Sequence, residues 1–212
     1  MINRTRAFLG IVAFSLLSCN NENTAVYTFD AAQNGKDAIL SLPNPKRNYG
    51  KVKELNIYCD SINGKKYLNR AVLYFDISNL PTDIEIDSVF LQLYYNDESG
   101  LYTVKESGHS GNTGLIIENI EEFWEEDQVN WDNYPEVGLK KLYFEPHKVP
   151  YQDFRLDVTE LVVTDNNRLK NTQGLLVRLE KEEIGNYIHV YSRENSKINS
   201  APKLKFYVKS HN

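Results

Sequence analysis

The segment FWEEDQVNWDNYP, residues 123–135, sets both tryptophans of the chain beside Glu125, Glu126, Asp127 and Asp132, with Glu121 and Glu122 just upstream. Carboxylates beside aromatic rings are the raw material of glycoside hydrolysis. That chemistry needs two acids facing each other across the sugar, about 5–10 Å apart. A run of adjacent loop acids does not by itself supply the opposition. The same residues also suit a turn. Asn133 and Pro135 favour a tight one, Trp124 and Trp131 can pack against a sheet edge, and Glu125 to Asp127 can cap or solvate it. The structural role is the expectation.

Other chemistry is sparser. The four histidines, His109, His147, His189 and His211, show no metal-ligand spacing. The chain has no nucleophile-elbow motif, no Cys/His pair and no phosphate-cradling glycine loop. Asp37, Asn48, Asp76 and Asp157 are oxygen donors that could meet at one end of a domain around a structural calcium. The alternative for them is turn and strand-end hydrogen bonding. No other cofactor is implied. Polysaccharide lyase chemistry needs a base, an acid and a group that neutralises the substrate carboxylate. His189, Tyr191 and Arg178 are the residue types for it. Non-catalytic sugar binding needs aromatic faces for C–H surfaces and planar polar groups for hydroxyls or carboxylates.

These residues must be held by a scaffold, and its class follows from composition. The 212 residues suffice for one well-cored domain. With 41% hydrophobic and 25% charged residues, the chain is of the globular rather than the disordered type. Fourteen tyrosines favour strands. From Val26 onward, short runs rich in β-branched and aromatic residues alternate with Gly, Pro, Asn and Asp punctuation: KDAILSL, ELNIYCDSI, YLNRAVLYFDI, IDSVFLQLYYN, TGLIIENI, DFRLDV, QGLLVRLE, YIHVYS and PKLKFYVK. Only VTELVVTDN suggests a helical turn or two. This pattern reads as an all-β, two-sheet sandwich of jelly-roll type, spanning residues 26–212 without a second domain.

Alternation sorts the strand faces. Leu204, Phe206 and Val208; Val89, Leu91, Leu93 and Tyr95; Leu175, Val177 and Leu179; and Ile188 and Val190 should point inward. Tyr58, Tyr74, Tyr94, Arg178, His189 and Tyr191 share the outward parity and are the candidate carbohydrate-binding residues. The loops near Tyr49 and Tyr134 are the next place to look. Cys59, in register with Leu55 and Ile57, should be buried.

The N-terminus is of a different kind. Arg4 and Arg6 precede the apolar run AFLGIVAFSLL and then LLSC, ending at Cys19. A positive start, a run too short to span a bilayer and a small residue before cysteine describe a cleaved secretory signal over 1–18. LLSC resembles the lipobox of bacterial lipoproteins. That resemblance implies diacylation of Cys19, a tether over 19–25 and a lipid-anchored place in the bacterial cell envelope, at the outer membrane or cell surface. Without Arg4 and Arg6 the chain has 22 basic against 29 acidic residues, a net charge of −7, which disfavours nucleic acid as a partner.

Several segments in order resemble the DNRLRE family, which includes carbohydrate-binding module family 96. They are DAILSLPNPKRNYG, NRAVLYFDISNLP, DSVFLQLYY, FWEEDQVNWDNYP, RLDVTELV, GLLVRL, YSRE and APKLKFYV, together covering roughly residues 30–208. The resemblance implies a β-sandwich on a secreted or surface protein. Some such domains bind acidic polysaccharides such as alginate, and related ones accompany polysaccharide-degrading enzymes. Arg70 and Glu194 fall in the family-like motifs, where an ion pair between them would be structural. Tyr74 stands where the family often carries a basic residue, a departure that argues against an alginate-like ligand. The expected function is therefore a surface-anchored lipoprotein that binds polysaccharide, with uronic-acid-containing polymers among the candidate ligands. An adhesion or structural protein without a sugar site and a polysaccharide lyase are the alternatives.

Overall fold

The computed structural model describes residues 24–98, 108–110, 112–197 and 199–209. The expected signal segment and Cys19 lie outside the described residues. In chain order the elements are β1 (Thr24–Asp30), a helical turn α1 (Ala31–Asn34), β2 (Lys36–Ser41), β3 (Glu54–Ile62), β4 (Lys65–Tyr74), β5 (Glu85–Leu93), β6 (Leu115–Ile120), a 3-10 turn (Trp131–Asn133), β7 (Val137–Phe144), β8 (Phe154–Asp157), α2 (Thr159–Val162), β9 (Gly174–Leu179), β10 (Asn186–Tyr191) and β11 (Lys203–Lys209).

Two antiparallel sheets form a β-sandwich. One is four-stranded, in the order β1-β11-β5-β8; the other is seven-stranded, in the order β10-β3-β4-β9-β6-β7, with β2 also paired to β4. The period-two alternation explains how they close. Leu204, Phe206 and Val208 of β11, Val89, Leu91 and Leu93 of β5, Leu175, Val177 and Leu179 of β9, and Ile188 and Val190 of β10 fill one core, as their parity demands. Cys59 is buried and free within it. The β3–β4 hairpin turns on Asn63 and Gly64, both at positive φ (52° and 75°), the pair a two-residue turn requires.

A second apolar cluster lies outside the seven-stranded sheet. Ala38 and Leu40 of β2, Val72 of β4, Ile120 of β6 and Leu176 of β9 point away from the main core and are covered by Trp124 and Val129. The tryptophan segment is thus a lid over the back of the sheet. Leu176, placed on the outer face by parity, is buried for this reason.

Three further expectations from alternation fail, at one edge. His189 and Tyr191 are 0% and 1% exposed, although their neighbours Ile188 and Val190 face the core. Tyr95 bridges to Val190, and His109 lies against the backbone of His189. These crossing segments cover what would otherwise be the outer face of β10. Tyr95, expected inward, is instead only partly buried.

Candidate functional site

The seven-stranded sheet contains a fork. β3 pairs with β4 at Cys59↔Leu68 through Ile62↔Lys65, whereas β2 pairs with β4 from Ser41↔Asn69 to Lys36↔Tyr74. β2 therefore takes over the edge of β4 where β3 parts from it. A groove of ≈ 540 Å³ occupies the fork. Its lining includes Tyr49, Tyr58 and Tyr67, together with Asn44, Asn56, Asn69, Asn96 and Asn195. Lys53, Glu54 and Glu98 are its charged members. A larger groove of ≈ 720 Å³, between residues 80–86 and 166–169, has no aromatic lining and offers nothing for a sugar face to stack on.

Several contacts hold the groove in shape. Asn48 donates two hydrogen bonds, to Glu126 O (2.7 Å) and Val129 O (2.8 Å), and accepts one from Gly50 N (3.1 Å). Gly50 lies so close to Glu126 that a Cβ would fall 2.1 Å from its carbonyl oxygen. Asn48 and Gly50 thus clip the 43–53 loop to the tryptophan segment, and Tyr49 between them lines the groove. On the floor, Asn56 Oδ1 lies 2.5 Å from His189 Nδ1. Burial first, and the neighbouring His109 second, push the His189 pKa down to about 3, so the imidazole is neutral and donates to that oxygen. His109 accepts from His189 N (3.2 Å), stacks edgewise on His147 and is itself pushed down to about 4 by burial. Burial also raises the Tyr58 hydroxyl above its ordinary range, so it stays protonated as donor and acceptor.

Of the six expected sugar-binding residues, Tyr58 alone lines this groove. Tyr74 packs beside the second apolar cluster. Tyr94 follows β5, on the opposite sheet, near Lys203. Arg178 is bound to Glu118 (2.7 Å), which also takes Lys141 (2.8 Å). His189 and Tyr191 are buried, the latter with its hydroxyl on Asp97. These six therefore do not form one face, because β5 belongs to the other sheet and β10 is covered. For the same reason Arg178, His189 and Tyr191, weighed for lyase chemistry, do not share a cleft. The groove's Tyr67, Asn56 and Asn69 were missed. The alternating Glu54-x-Asn56-x-Tyr58 and Tyr67-x-Asn69 were the available signal.

The expected calcium donors do not converge either. Asp76 caps its own turn at Ser78 N (3.0 Å), and Asp157 that of Thr159 (3.0 Å). Asp37 is fully buried elsewhere, and Asn48 donates its amide to carbonyls. Arg70 does not meet Glu194; it pairs bidentately with Glu182 (2.8 and 3.0 Å). Glu126, expected to cap or solvate a turn, is instead buried and reaches Asp37 N, Lys51 and Arg193.

The tryptophan turn otherwise has the expected form. Asn130 and Asn133 cap the 3-10 turn reciprocally, Trp124 donates to Gln173 O (2.9 Å), and the Arg70 guanidinium sits 5.1 Å from the Trp131 ring.

A comparison with curated proteins returned no match. A family model does match, that of carbohydrate-binding module family 96, over residues 28–206. This interval runs from β1 to β11 and takes in both sheets, the clipped Asn48-Tyr49-Gly50 loop and the tryptophan lid. The sandwich is thus matched as a whole, and the chain belongs to carbohydrate-binding module family 96.

Proposed function

We propose that the groove at the β2/β3 fork binds a polysaccharide segment and that the protein works as a non-catalytic, surface-anchored binding module. The observation that carries the reading is the lining itself. Three tyrosines and five asparagines meet in one concave site, the mixture that hydroxyl-rich, C–H-faced rings require. Two lining carboxylates against one ammonium favour a neutral chain over a uronate. Enzymes that degrade the same polymer are the natural partners of such a module.

The test is affinity electrophoresis against neutral and uronic-acid polymers. Removing two stacking rings in Tyr58→Ala/Tyr67→Ala should weaken binding about tenfold or more, the equivalent of ~1.4 kcal/mol. Tyr94→Ala, on the opposite sheet, should bind as the wild type does. A Tyr94→Ala loss with the double variant intact would move the site to the other sheet. Failure of every polymer to bind the wild type at millimolar sugar would favour the adhesion or structural reading.

Anchoring belongs to the same proposal. It is supported by the lipobox-like LLSC that ends at Cys19; several acyl chains on that residue would together hold the protein on a membrane, where one alone binds marginally. Cys19→Ser should appear in the soluble fraction. A variant that stays with the membrane after a high-salt wash would contradict the anchor.

A further inference from the structure

Behind the groove loop, three carboxylates from distant parts of the chain meet. Asp37 comes from β2, Glu126 from the tryptophan segment and Glu194 from the turn after β10; one oxygen of each lies within 4.8 Å of the others. Asp37 Oδ2 accepts from Arg193 N (2.7 Å). Arg193 Nη1 reaches Glu126 (2.9 and 3.1 Å) and Glu194 Oε1 (3.0 Å). Lys51 contacts Glu126 Oε2 and lies 3.7 Å from Glu194 Oε1. Glu126 Oε1 also accepts from Asp37 N (3.0 Å).

This set is one positive charge short. Three carboxylates face Arg193 and Lys51, and two oxygens, Asp37 Oδ1 and Glu194 Oε2, are buried with no hydrogen-bond partner among the described residues. The Asp37 side chain is fully enclosed. A buried anionic oxygen without a donor is costly. Either a proton or a metal ion must supply the missing charge.

We propose that Asp37, Glu126 and Glu194 hold a calcium ion. The donors are all oxygen, as a hard cation requires. Calcium–oxygen distances of about 2.3–2.6 Å put two ligands of one ion no more than about 5 Å apart, which the cluster satisfies. Magnesium keeps several of its waters, and a buried cluster leaves little room for them. Lys51 is the exposed member, with 66% of its side chain open to solvent. It can swing into water and yield its position to the ion, leaving three carboxylates against Arg193 and a dication. The ion would staple β2, the tryptophan lid and the turn after β10, beside the Asn48 and Gly50 clip.

The inference does not rest on the glycan reading, because its readout is the ion. Chelator-stripped full chain should take up one calcium per chain by titration calorimetry. Calcium at 100 times its Kd should raise the Tm by roughly 5–10 °C. Asp37→Asn should abolish both effects, whereas a network that merely shares a proton would accept the amide at that position. Glu194→Gln is the second variant, should the first fail to fold. Lys51→Gln should bind calcium several-fold more tightly, because it removes a competing charge. Absence of heat and of any Tm change at millimolar calcium, in both the wild type and Lys51→Gln, would overturn the proposal. So would stoichiometric binding by a folded Asp37→Asn.

Discussion

Trp124→Ala should lower the stability of the domain by about 3–5 kcal/mol, the range for removing a buried tryptophan. In a domain of this size that corresponds to a Tm fall of roughly 10 °C. The ring is 6% exposed and, together with Val129, covers Ala38, Leu40, Val72, Ile120 and Leu176. Its indole N–H donates to Gln173 O (2.9 Å), an acceptor the variant would leave unpaired. The effect should reach the groove as well, because Glu126 and Val129 of the same segment receive the two Asn48 hydrogen bonds. Trp131→Ala should cost less, since that ring is only partly buried. Thermal denaturation of the two variants checks the order. A Trp124→Ala protein melting within two degrees of the wild type would contradict the lid.

Acidification should destabilise the fold well before its carboxylates titrate. His189 and His109 are neutral in the folded state, held down to about 3 and about 4 by burial. The unfolded chain binds protons at these positions below about pH 6.5, whereas the folded chain does not. Their contribution is therefore intact above that pH. It is lost as pH falls, until the folded-state values are reached. Each group gives a slope of about 1.4 kcal/mol per pH unit, so the two together remove on the order of 5 kcal/mol between pH 6.5 and 4. Below about pH 4.5 Glu126 and Glu118, whose pKa values salt bridges hold low, add to the loss. The raised pKa of Asp37, caused chiefly by its burial, acts in the opposite sense. The window from pH 6.5 to 5 is diagnostic for the histidines. Urea midpoints should fall steadily across it in the wild type and less steeply in His109→Gln, where His189 and His147, the latter also held low by burial, still contribute. A flat profile would show that these rings are solvated.

Much of the scaffold was legible because one face of most strands is buried and the other is not. PKLKFYVK alternates cleanly, and its strand, parity and core residues follow directly. Two strands escaped. β1 is largely exposed along its length, and β7 is an edge strand whose lysines break the alternation. His189 and Tyr191 misled for a different reason. Parity tells which side a residue takes, not whether another segment covers that side. Parity alone marks Tyr58, Tyr74, Tyr94, Arg178, His189 and Tyr191, and parity does not distinguish one sheet from the other. The groove depends on where β3 parts from β4, a pairing that local pattern does not encode. Asp37, Glu126 and Glu194 lie 89 and 68 positions apart along the chain, and only the closed sandwich brings them together.

The most direct measurement is a titration of the ring-labelled tyrosine resonances of the protein with an oligosaccharide of whichever polymer retards it most. The groove account predicts saturable shifts at Tyr49, Tyr58 and Tyr67, with Tyr94 and Tyr207 on the opposite sheet unmoved. Shifts confined to Tyr94 and Tyr207, with the three groove rings silent, would contradict it.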